Sequence, residues 1–60
     1  MTAKDFNLIA LILKELREDY EEDGRAVEVL EDVAGEFSER LLASNIRFDS
    51  ARFLKACGVA

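Results

Sequence analysis

The sequence predicts an all-α fold: an antiparallel helical hairpin followed by a short third helix. Three observations carry this. Apolar residues recur at steps of three and four in two long segments. No stretch alternates apolar and polar as a half-buried strand does. The breaks fall where helix-ending chemistry stands, at Asp23-Gly24, Asn45 and Gly58. The three helices are expected over about residues 3–22, 26–45 and 50–57 of one domain covering 1–60.

The first helix starts at Thr2. Thr2 and Asp5 have the spacing of a capping box, with Asp5 in the usual Glu role. Phe6, Ile9, Leu13, Leu16 and Tyr20 form one stripe. Leu8, Leu11 and Ile12 lie outside it and widen the apolar arc past what one neighbouring helix covers. Glu21-Glu22-Asp23-Gly24 ends the helix, with Gly24 suited to a left-handed position after the last turn.

The second helix carries the stripe Val27, Leu30, Ala34, Phe37 and Leu41, which is expected to pair with the first inside the hairpin. Gly35 falls in its middle, as a tolerated surface glycine or a point of close helix approach. Asp49 is the expected N-cap of the third helix. Phe48 before it and Phe53 after it have the spacing of a hydrophobic staple, and Gly58 terminates the helix.

Sixty residues make a marginal core, and self-association would add to it. Leu8, Leu11 and Ile12 are the expected self-association residues. A two-fold homodimer with a four-helix-bundle core is the simplest closed arrangement. An antiparallel pairing would keep the acidic hairpin ends apart.

Composition excludes several functions. There is no His and there is one Cys, so Ser-His-Asp and Cys-His triads and a structural zinc site are ruled out. The three glycines are isolated, so no phosphate-cradling loop is present. No catalytic residue, metal site or cofactor is expected. Cys57 cannot form an intrachain disulfide and reads as a small buried hydrophobe. The longest apolar run, 8–13, is far short of a membrane span, and no secretory leader is recognisable; a reducing cytoplasm is the expected compartment.

Charge is unevenly placed on a net of −5. Residues 15–39 hold eleven acids against Arg17 and Arg25. The C-terminal third is mildly basic through Arg40, Arg47, Arg52 and Lys55. Direct nucleic-acid binding needs a denser basic footprint and is not expected. Asp19 to Gly24 resembles the opening of an EF-hand calcium loop, but Leu30 stands where the closing bidentate Glu belongs.

Two motifs mark the ends: Thr2-x-Lys4-Asp5-Phe6-x-x-Ile9-Ala10, and Arg47-Phe48-Asp49-x-x-Arg52-Phe53-Leu54-x-Ala56-Cys57-Gly58. Together they touch about a third of the chain, and in them it resembles a group of short phage and bacterial-genome proteins of unassigned activity. That group carries Asn-Pro before Arg-Phe, where this chain has Asn45-Ile46. The resemblance implies a phage or prophage accessory protein.

The leading expectation is therefore a non-enzymatic acidic interaction module, a regulator or inhibitor that binds a host protein through Glu18, Asp19, Glu21, Glu22 and Asp23. One alternative is a sponge for a small anionic ligand, such as a nucleotide signal, held by Arg40, Arg47, Arg52 and Lys55. Another is a structural or assembly subunit.

Overall fold

The computed structural model describes residues 2–59, which form three helices and, among those residues, no strand. These are α1 (Ala3–Asp19), α2 (Gly24–Ser44) and α3 (Ser50–Ala56). Their envelope measures 35 × 18 × 15 Å. No helix among the described residues is long and apolar enough to cross a membrane.

The caps follow from local chemistry. The Asp5 carboxylate accepts the Thr2 backbone N–H at 2.9 Å and the Thr2 hydroxyl at 3.2 Å. Those bonds hold its carboxyl below the ordinary aspartate value, so the cap persists into mild acid and is lost as pH falls through that lowered value. Asp49 caps α3 by accepting the Arg52 N–H at 3.0 Å. Gly58, at φ 79°, takes the left-handed position. Its N–H bonds the Lys55 carbonyl and the Val59 N–H bonds that of Leu54, which completes a Schellman motif.

The hairpin turn differs from the expectation. α1 ends at Asp19, three residues early, and Tyr20 is its C-cap. The helix dipole explains this: Glu18, Asp19, Glu21 and Glu22 stand at the negative end of α1, where carboxylates weaken the last turn. Gly24 is not a left-handed terminator. It is the first residue of α2, and Asp23 before it is the N-cap, accepting the N–H groups of Arg25 and Ala26 at 3.2 Å each. The same carboxylate that is unfavourable after α1 is favourable before α2.

The core also lies off its expected centre. The buried apolar residues are Ala10, Leu13, Ala34, Phe48, Phe53 and Cys57, all toward the α2–α3 corner. None of residues 14–33, the hairpin-turn half, is buried. Leu16, Tyr20 and Phe37, expected in the hairpin seam, are 37%, 52% and 39% exposed. The reason is α3, which packs against both long helices and draws the seam toward its own side. Ala10 and the neighbouring face of α2, with Ser38 buried, take the places of the larger side chains. Lys14 runs its stem past Gly58 on this side, its Cγ 3.7 Å from where a Cβ would stand.

Three aromatic rings close the corner. Phe48 and Phe53 pack with their rings tilted by 57° at 5.4 Å between centroids, and Phe6 meets Phe48 edge-on at 5.0 Å. At the other end, one ion pair crosses the hairpin: Arg17 Nη2 and Nε both donate to Glu31 Oε2, at 2.6 and 3.1 Å. Nothing lies within 4 Å of a Cβ built on Gly35, so no element of this chain makes a close approach there.

Candidate functional site

Three surfaces hold the residues singled out from the sequence. The first is the hairpin tip. Glu18, Asp19, Glu21, Glu22 and Asp23 are all exposed and line one shallow depression with Tyr20. Asp23 spends its carboxylate on the α2 cap. The other four take part in no side-chain hydrogen bond or ion pair among the described residues. The tip is therefore unneutralised negative charge on the half of the hairpin that buries least. Among the described residues no three metal-ligating side chains gather into a cluster, at the tip or elsewhere.

The second is the corner. Arg47 and Arg52 join in lining a cleft of about 310 Å³ between the start of α1 and the α2–α3 connection. Its apolar wall comes from Phe6, Phe48 and Phe53, and Asn7 and Asn45 add amide groups. An Asx turn shapes the rim: Asn45 Oδ1 accepts the Arg47 N–H at 3.1 Å, and the Phe48 N–H bonds the Asn45 carbonyl at 2.9 Å. Ile46 is 90% exposed. The four cations named from the sequence do not assemble. Arg40 lies on α2, paired with Glu36 at 3.2 Å, and Lys55 is exposed on α3 outside the cleft lining. The sequence reading missed Asn7 and Asn45, and the pairing of Phe6 with Phe48 across 42 positions left no local signal.

The third is apolar. Leu8, Leu11 and Ile12 are 57%, 49% and 49% exposed, so α3 leaves them uncovered. The exposed surface is wider than these three. Leu16 and Tyr20 share a groove with Ala26, Val29 and Leu30, and Val29 also opens a second groove with Val33, Phe37 and Leu41.

Cys57 is fully buried in the corner core, and burial pushes its thiol pKa up. It stays protonated at neutral pH and packs as a hydrophobe; it is not placed to act as a nucleophile.

No family model, no curated protein and no solved structure matches this chain.

Proposed function

We propose that the protein is a non-enzymatic helical interaction module whose acidic tip docks on a basic surface of a protein partner. The observation that carries this reading is the tip itself: Glu18, Asp19, Glu21 and Glu22 stand together, exposed and without side-chain partners among the described residues. Such a cluster repels its own members, and a cationic surface relieves that repulsion. On the resemblance of the chain's two ends to phage and prophage accessory proteins, the partner is a host protein. The chain then acts as a regulator or inhibitor in the host cytoplasm.

The corner cleft favours a second reading, a small anionic ligand with an apolar part. Arg47 and Arg52 would pair with its charge, and the partly exposed Phe6 ring would contact its apolar part.

One experiment separates the two. The tagged protein is used for affinity capture from host extract, and the eluate is analysed for proteins and small molecules alike. The variant Glu18→Gln, Asp19→Asn, Glu21→Gln, Glu22→Gln keeps the Asp23 cap, so its helicity by circular dichroism should match wild type. Its protein capture should be lost. Capture unchanged in that variant contradicts the tip reading. A small anion that elutes with wild type and is absent from Arg47→Ala with Arg52→Ala supports the cleft.

A further inference from the structure

The hairpin leaves an apolar face open, with Leu8, Ile12, Leu16, Val29 and Phe37 each 37–57% exposed. The protein exposes 4631 Å² of surface, about 700 Å² more than the ~3,900 Å² expected of a folded monomer of its mass. A standard interface buries about 800 Å² on each partner. The excess is thus close to one partner's share.

Its location is definite. On α1, Leu8, Ile12 and Leu16 follow one another at i, i+4, and on α2, Val29, Val33 and Phe37 do the same. These two ridges lie on the same side of the hairpin, opposite α3, which covers the side of Ala10, Lys14 and Ser38. Leu16 and Val29 share a groove lining, so the ridges meet across the hairpin.

We propose that this face is covered by a second copy of the same chain, with the two hairpins antiparallel. Charge selects that occupant and that direction. One end of the face is the acidic tip; toward the other, Arg40, 84% exposed, offsets Glu36 by an exposed ion pair at 3.2 Å, and the basic corner lies beyond it. A two-fold axis across the middle of the hairpin lays α1 on the mate's α1 and α2 on the mate's α2. It brings each Arg40 to the mate's tip, where Glu21 and Glu22 have no side-chain partner among the described residues. A parallel dimer would set the two acidic tips side by side and is opposed by their repulsion. The interface is therefore centred on Ile12, Leu16, Val29 and Val33, and Leu11 lies at its margin. This inference shares Glu21 and Glu22 with the tip-docking reading, but it is tested on the purified chain alone, so failure of one is distinguishable from failure of the other.

Sedimentation equilibrium on wild type, Ile12→Glu and Val29→Glu is the test, with circular dichroism to show that each variant is folded. Both positions are about half exposed in the single chain, so either substitution is compatible with folding. Wild type should be a dimer at tens of micromolar, with a melting temperature that rises with concentration. Either substitution would bury a carboxylate at the interface and weaken association by roughly a hundredfold or more. Arg40→Glu should also weaken it, because it adds a like charge beside the mate's acidic tip. A monomeric wild type with a concentration-independent melting temperature overturns the proposal and leaves the face to a different protein. A dimer indifferent to both carboxylates places the interface elsewhere and overturns it too. A dimer that Arg40→Glu leaves as tight as wild type overturns the antiparallel arrangement.

Discussion

Phe53→Ala should leave the protein largely unfolded at ambient temperature. Phe53 is 4% exposed, and its ring packs against Phe48, which in turn meets Phe6 from the start of α1. It thus joins α3 to both ends of the hairpin. Truncating a buried phenylalanine costs about 3–5 kcal/mol. Sixty residues at the usual ~0.05–0.15 kcal/mol each give a total stability of only about 3–9 kcal/mol. The loss is most or all of what holds the fold. Chemical denaturation followed by far-ultraviolet circular dichroism checks this. A midpoint close to wild type would mean that α3 is an appendage and that the hairpin stands without it.

Ala34→Leu should be the other severe change, by the opposite route. Ala34 is fully buried and Ala10 is 1% exposed, so the centre of the fold is built on small side chains that let the helices approach. A leucine at 34 has no space to enter. Overpacking of this kind costs typically ~1–3 kcal/mol and at times more, because backbones must shift. For a domain of this size each kcal/mol lowers the melting temperature by roughly 4–8 °C. The control is Leu16→Ala, which removes a larger group from a position 37% exposed on the open face and should cost the single chain much less. If Ala34→Leu melts with wild type, the close packing around Ala34 is wrong.

The elements differ in how far the sequence makes them legible. Caps were readable because their chemistry is complete within a few residues. Thr2 with Asp5, Asp49 with the Arg52 N–H, and Gly58 with its left-handed φ each answer a local requirement. The Phe48–Phe53 staple is local for the same reason. Asp23-Gly24 was ambiguous locally, since such a pair serves one helix's end or the next one's beginning; the position of the acids along the two dipoles decides it.

The seam was not legible. Periodicity marks an apolar arc but not which part of it a third element will claim. Ala10 and Leu16 flank the same arc of α1, and the docking of α3 buries the first and leaves the second exposed. Arg17 and Glu31 are likewise ordinary surface charges in the sequence until the hairpin places them 2.6 Å apart. For the candidate sites, the tip was readable because its acids are nearly contiguous. The corner cleft was read only in part, since Arg47 and Arg52 belong to one motif while Phe6, Asn7 and Asn45 come from distant segments. Arg40 was grouped with those cations by charge alone, and the helical register sets it on the apolar face.

Labour is divided along the hairpin between a corner that holds the fold and a thinly packed, acidic tip, for which docking is proposed. Regions with few buried contacts open locally at low free energy, which suits a binding end. Native-state hydrogen exchange of the purified chain, resolved by residue, tests this most directly. The account predicts that amides in 34–41 and 53–57 exchange slowest, through global unfolding alone. Those in 18–28 should exchange by local opening at appreciably lower free energy. Equal protection at tip and corner, or early exchange of α3 while the tip stays protected, would contradict it.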